Sequence, residues 1–287
     1  MTSWYIYSIA ALLLLGVQRF FYKVAAEKQC STAWVTFSFM LTVTLLSGGL
    51  FLAGQRQEQQ FLSLVTIAFL NSAAFLLATV AHIEALKYVS ASITYTIIQL
   101  NVVVVVIFSM LYFKDRITPM QSAGLLLAVI AMMILARQMH HDAGAGERRR
   151  RGIWFVGLAL IGGAAASVSS KFAAMHTDKL AFMALSYLMG MVGSLWINKT
   201  LPSGKPHDAR LKEAVIIGIL MGFFNFAGFY AFLVALETGP LSLIATIVGL
   251  HFVISILLSA IIYREKINPA GVVGLFLTII SIVLLRL

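Results

Sequence analysis

Lys114-Asp115-Arg116-Ile117-Thr118-Pro119 returns 150 residues later as Arg264-Glu265-Lys266-Ile267-Asn268-Pro269. Each is a short charged turn closed by a proline, set in an otherwise apolar sequence. The correspondence runs outward at the same offset. Upstream, Ala85-Leu86 matches Ala235-Leu236. Ser92, Thr96, Ile97, Leu100, Val103 and Ser109 match Ser242, Thr246, Ile247, Leu250, Val253 and Ser259. Downstream, Gly124 and Leu125 match Gly274 and Leu275, and Trp4 matches Trp154 near the head of each copy. An apolar chain that contains one unit twice points to a transporter, with its substrate path where the copies meet.

The chain has 287 residues, of which 60% are hydrophobic and 11% charged. Soluble domains carry about 25% charged residues, and stretches such as Ile93–Phe113 and Val248–Tyr263 are nearly uncharged, so lipid is their solvent. The runs lack sustained polar/apolar alternation, which argues against a β-barrel. Helices satisfy their own backbone hydrogen bonds in lipid. The expected fold is therefore all-α and integral to the membrane, with ten spans of about 20 residues each. The first five are Trp4–Ala25, Thr32–Ala53, Phe61–Glu84, Ala91–Phe113 and Pro119–Ala136. The second five are Ile153–Met175, Phe182–Lys199, Ala214–Leu236, Leu241–Tyr263 and Pro269–Leu285. Residues 1–136 and 153–287 form the two copies, and 137–152 the basic linker between them. Five is odd, so the second copy enters the membrane from the opposite side and the repeats are inverted. Such a pair exchanges conformations between its halves and supplies alternating access.

Several classes are disfavoured. The net charge of +10 would suit nucleic acid. Here, however, the basic residues sit in short loops between apolar spans, where positive charge sets orientation, so no nucleic-acid partner is expected. The single Cys30 excludes an internal disulfide and a cysteine metal cluster. His140-His141 lies in the linker with no further ligands, and a solvated linker is the better reading. No metal or other cofactor is expected. No G-x-x-x-x-G-K-[ST] loop occurs, which argues against ATP drive. Trp4–Val17 has no basic residue before it and no small-residue cleavage site after it, so it reads as a span rather than a removed signal peptide. No constellation of acids, histidines or metal ligands supports an intramembrane enzyme.

Polar groups well inside a span are functional candidates by default. His251 and Asn101 occupy equivalent places in the ninth and fourth spans. They read as a substrate-binding pair, with His251 titrating in the cycle, or else as packing groups bonded to neighbouring helices. Gln99 lies one turn from Tyr95, so both face one cavity; interhelical bonding is the alternative. In the eighth span Asn225, Phe229 and Tyr230 offer an amide on an aromatic wall, the alternative being lipid-facing aromatics. Asn71 is a further candidate, whereas His82 and Glu84 lie near a span end and are expected at the solvated interface. Arg19 and Lys171 are the basic residues furthest inside spans; they attract an anionic or zwitterionic substrate or snorkel to an interface. Gly218 and Gly222 form a G-x-x-x-G spacing, read as a close helix contact.

Ala85-Leu86-Lys87-Tyr88-Val89-Ser90-Ala91-Ser92, Leu100-Asn101 and the turn Lys114–Pro119 follow one family pattern. Ala235-Leu236, Gly239-Pro240, Leu250-His251 and the turn Arg264–Pro269 repeat it. Through these motifs the chain resembles the EamA-type drug/metabolite transporter superfamily. The resemblance implies a carrier of small solutes built from five plus five inverted helices. It also implies a proline just after the positions of Asn101 and His251. Val102 and Phe252 stand there instead, which removes the usual cause of a kink. The expected function is a secondary-active exporter or permease of a small polar metabolite such as an amino acid. Flipping of a lipid-linked sugar or lipid precursor is the alternative. The partners expected are the small-molecule substrate, the lipid bilayer, a coupling proton or counter-substrate, and a second copy in a homodimer. The expected location is the bacterial inner (plasma) membrane. Lys28, Lys87, Arg148–Arg151, Lys205, Arg210, Lys212, Arg264 and Lys266 follow odd-numbered spans, and fewer basic residues follow even-numbered ones. Positive charge is retained in the cytoplasm, which places both termini outside; the resemblance implies both inside.

Overall fold

Uncharged runs punctuated by proline and glycine become long helices, because in lipid each backbone polar group must be satisfied within its own segment. The computed structural model describes residues 3–54, 61–89, 94, 97–137, 147–200, 208–264 and 269–287. Among the described residues every regular element is helical. The elements are α1 (Ser3–Glu27), α2 (Thr32–Ala53), α3 (Phe61–Tyr88), α4 (Asn101–Phe108, continued by a π-turn over Ser109–Phe113), α5 (Pro119–Arg137), α6 (Glu147–His176), α7 (Lys179–Thr200), α8 (Asp208–Thr238), α9 (Leu241–Gly249), α10 (Phe252–Ile262) and α11 (Pro269–Leu284). Pro119 and Pro269 open α5 and α11, where a missing N–H costs nothing.

Among the described residues, seven stretches are long and apolar enough to cross a bilayer: α1, α2, α3, α6, α7, α8, and α9 with α10. Ile97–Phe113, Pro119–Ile134 and Pro269–Leu284 are shorter apolar helices; they coincide with the expected fourth, fifth and tenth spans. The helix α6 opens at Glu147, so the backbone of Arg148–Arg151 belongs to its first turns rather than to a loop. Tyr95, the His140-His141 pair and the Glu265–Asn268 turn lie outside the described residues.

Helix pairing follows the repeat. The helix α1 packs on α8, α3 on α6, α2 on α7, α4 on α9 and α5 on α11. Replacing each helix by its counterpart in the other copy turns the α1–α8 contact into the α6–α3 contact and leaves the other three unchanged. Small residues let the crossings close. A Cβ on Gly162 of α6 would lie 2.8 Å from the Ala74 carbonyl of α3, and one on Gly218 of α8 would lie 2.6 Å from the Val35 carbonyl of α2. The backbone repeats as well. Lys114 and Arg264 both end their spans left-handed, with φ of 56° and 54°.

Polarity is reversed from that of a water-soluble fold. Leu62 is 79% exposed and Phe276 64%, while Asn71, Gln99, Asn225 and His251 are buried. Apolar surface on this scale is what lipid solvates.

Candidate functional site

The fourth and ninth spans break at the same place. Leu100 N–H donates to Ile97 and Val103 N–H to Leu100; at the matching positions of the second copy, Leu250 N–H donates to Ile247 and Val253 N–H to Leu250. These are three-residue bonds of 3.0–3.1 Å, tighter than the α-helical ladder. The break thus forms without the prolines that Val102 and Phe252 replace. Gly249 lies beside the break. Its would-be Cβ lies 2.5 Å from Val102 Cγ2, so α4 and α9 approach closely there. His251 lies there too. Its Nδ1 sits 2.5 Å from the Val248 carbonyl, within the broken turn. A carbonyl only accepts, so Nδ1 carries the proton and Nε2 is the ring's acceptor.

A cavity of about 110 Å³ lies beside the breaks. One water needs about 10–15 Å³, so this space suits a small solute. Gln99 and Gly249, Asn101 and His251, Phe75 and Asn225, and Thr79 and Phe229 all line it. Each of these four pairs joins a position in the first copy to its equivalent in the second. The cavity therefore lies where the two copies present matching positions to each other, and the chemistry differs within every pair.

Six of the candidates from the sequence meet here: Arg19, Gln99, Asn101, Asn225, Phe229 and His251. Asn101 is seated by Gly163, whose would-be Cβ lies 2.5 Å from the Asn101 Nδ2. The Arg19 guanidinium contacts His82 Nδ1 through Nη1 and lies 5.1 Å from the centre of the Tyr22 ring. Arginine only donates, so His82 Nδ1 accepts.

Asn225 belongs to a chain of hydrogen bonds that runs in one direction. Tyr187 OH donates to Asn225 Oδ1 at 2.5 Å, Asn225 Nδ2 to Gln18 Oε1 at 3.0 Å, and Gln18 Nε2 to Tyr22 OH at 2.9 Å. The chain ties α7 and α8 to α1. Gln18, Tyr22 and Thr79 line the cavity and were missed from sequence. A signal existed: Gln18 and Tyr22 stand one turn apart beside the intramembrane Arg19.

Three candidates are placed elsewhere. Asn71 is buried among helices, donating to the Ala166 carbonyl, Ser169 and Ser170 and accepting from Ser186. Lys171 neither lines the cavity nor snorkels. It is 8% exposed, and its Nζ donates to the Leu236 and Gly239 carbonyls at 2.6 and 3.0 Å. It caps the end of α8, where a cation suits the helix dipole. Tyr230 is 38% exposed on the outer face of α8. The interfacial reading of His82 and Glu84 is also corrected. Both are buried, His82 under Arg19 and Tyr22, and Glu84 with Lys87 at 2.8 Å and the Thr32 hydroxyl. At the opposite end, Asp115 accepts from Ser109 Oγ and from the Ser242 N–H and hydroxyl, capping α9. That contact gives the acidic residue of the opening motif its physical role in the first copy.

Comparison with known proteins agrees with this architecture. The model of the EamA-like transporter family matches residues 2–137 and again residues 150–287. An uncharacterized transporter of Archaeoglobus fulgidus is 22% identical over 199 residues, covering 68% of this chain and 67% of that protein. A protein of known crystal structure superposes with a TM-score of 0.74 over 99% of this chain and 98% of its own, at 18% identity, a likeness of fold alone.

Proposed function

The chain belongs to the EamA-like transporter family, and we propose that it is a secondary-active exporter of a small polar metabolite, such as an amino acid. In this reading residues 1–136 and 153–287 are inverted five-helix repeats, joined by 137–152, and ten helices cross a bacterial inner membrane. The observation that carries the proposal is the cavity lined by four pairs of equivalent positions from the two copies. A site shared by two copies is the one place that an exchange of conformations between them exposes first to one side and then to the other. The broken spans beside it support the same reading, since interrupted helices offer backbone ends to a solute at mid-membrane.

In this reading Asn101, Gln99 and His251 hold the polar part of the solute, and Asn225 and Phe229 form a further part of the wall. His251 offers an acceptor through Nε2, and the amides offer donors and acceptors. The test is reconstitution of the purified chain into liposomes loaded with candidate amino acids, followed by release. Saturable flux that disappears in His251→Ala supports the carrier. Release equal to that of empty liposomes for every metabolite whose secretion depends on the gene refutes it.

A further inference from the structure

Equivalent segments of the two copies end their spans in different conformations. In the first copy Ser109–Phe113 forms a π-turn; at the same offset, residues 259–262 stay α-helical. Such turns are rare, and those that occur frequently mark functional sites. The side chains differ with the backbone. Ser109 Oγ donates to Asp115 Oδ2 at 2.6 Å, whereas its counterpart Ser259 Oγ is buried with no hydrogen-bond partner among the described residues. The same Asp115 oxygen accepts from the Ser242 N–H and hydroxyl, at 3.0 and 2.7 Å. One carboxylate thus ties the end of the fourth span to the start of the ninth. Ser242 stands about one turn before Ala245, which lines the cavity. Shortly before Ser242, a Cβ on Gly239 would lie 2.7 Å from Trp4 Cγ, so the tied end is the one that carries the N-terminus.

We propose that Asp115 is a latch on the N-terminal end of the cavity. Engaged with Ser242, it holds the fourth and ninth spans together and that end shut. On release, Ser109–Phe113 takes the α-helical form that residues 259–262 already show, Ser109 takes the unpaired state of Ser259, and the end opens. The two copies thus display both states of one segment side by side. The inference rests on the carrier reading, because it takes each copy to adopt the other's conformation. Hydrogen bonds to a charged group are strong enough to bias two such states by about ten- to a hundredfold.

Thiol labelling of the full-length protein tests it. Cys30→Ala removes the single native thiol, and Ser167→Cys places one in the cavity lining. Sulfonatoethyl methanethiosulfonate, which does not cross membranes, is added to right-side-out and to inside-out vesicles. In this parent, Asp115→Asn keeps the shape of the side chain and removes its charge. It should raise the labelling rate about tenfold from the face that bears the N-terminus, with no rise from the opposite face. Ser242→Ala removes one donor and should act in the same direction; it decides the matter where Asp115→Asn fails to fold. The inference is overturned if the rate stays unchanged, or if it rises alike from both faces, as loosened packing would make it do. A thiol reached from one face alone, in the parent and in both variants, would defeat the carrier reading. A thiol reached from both faces, at rates indifferent to Asp115→Asn, would defeat the latch alone.

Discussion

Two neighbouring glycines of α6 should behave in opposite ways when each is changed to alanine. Gly162 faces backbone: its would-be Cβ lies 2.8 Å from the Ala74 carbonyl oxygen, 2.9 Å from Ala78 N and 3.2 Å from Ala78 Cα. Gly163 faces one side chain, at 2.5 Å from Asn101 Nδ2 and 3.6 Å from its Cγ. Alanine is favoured over glycine in a helix interior by about 1 kcal/mol. At position 162 that gain is opposed by overpacking against a rigid helix, which costs about 1–3 kcal/mol. Gly162→Ala should therefore lose up to about 2 kcal/mol. At position 163 the neighbour is the end of a side chain that can turn. Moving it off its rotamer costs about 0.5–1.5 kcal/mol, which nearly cancels the helical gain.

Gly163→Ala should therefore melt close to wild type and yet lose most transport, because Asn101 leaves its place in the cavity. Gly162→Ala should melt clearly lower. Both are read from thermal unfolding in detergent beside liposome flux of the same preparations. A Gly163→Ala protein that transports like wild type would remove Asn101 from the site. A Gly162→Ala protein as stable as wild type would show that the α3–α6 crossing is looser than its geometry implies.

His251→Ala should reduce flux far more than melting temperature, since it removes one acceptor from the cavity but leaves the Val248 carbonyl with the His251 backbone N–H; undiminished flux would leave His251 a packing residue. Lys171→Ala strips the Leu236 and Gly239 carbonyls of a charged donor and should cost about 1–3 kcal/mol of stability, read by thermal unfolding, while liposome flux of the folded protein stays unchanged; a loss of flux would place Lys171 in the site. On the charge argument, the excess of basic residues after odd-numbered spans is expected to hold both termini outside. A fluorescent reporter that matures only in the cytoplasm, fused after Leu287, should then stay dark, and a bright fusion would overturn the charge argument.

The helices, their proline starts and the pairing of Asn101 with His251 were legible because each depends on local pattern and on the constant offset between the copies. Asn225 and Phe229 were legible as a pair because they stand one helical turn apart. What escaped depends on a second helix. Arg19 and Lys171 look alike in sequence, each a lone basic residue inside a span. Arg19 meets the cavity, whereas Lys171 meets the carbonyl end of α8, and no periodicity within α1 or α6 distinguishes those outcomes. His82 was expected at the interface because depth was judged along its own helix; its cover comes from Arg19 and Tyr22 of α1. The breaks at Leu100 and Leu250 could not be read from the missing prolines. They coincide with a close approach of α4 and α9 at Gly249 and with the contact of the His251 side chain on the Val248 carbonyl, both of which need the second helix or the broken turn itself to be seen.

Symmetry of backbone and asymmetry of side chains have different tasks in this molecule. The repeated breaks, the left-handed Lys114 and Arg264 and the self-consistent helix pairing make the two halves equivalent as scaffolds. Under the carrier reading, equivalent scaffolds would let each half adopt the other's conformation, as alternating access between inverted repeats requires. A small metabolite has no twofold symmetry, so a site built from identical pairs could satisfy only half of it. The lining departs from symmetry at every matched position: Gln99 corresponds to Gly249, Asn101 to His251, Thr79 to Phe229, and Phe75 to Asn225. Arg19 goes further, since its counterpart is Ser169, bonded within its own helix to the Ala165 carbonyl. Among the described residues that line the cavity, the basic side chain therefore comes from the first copy.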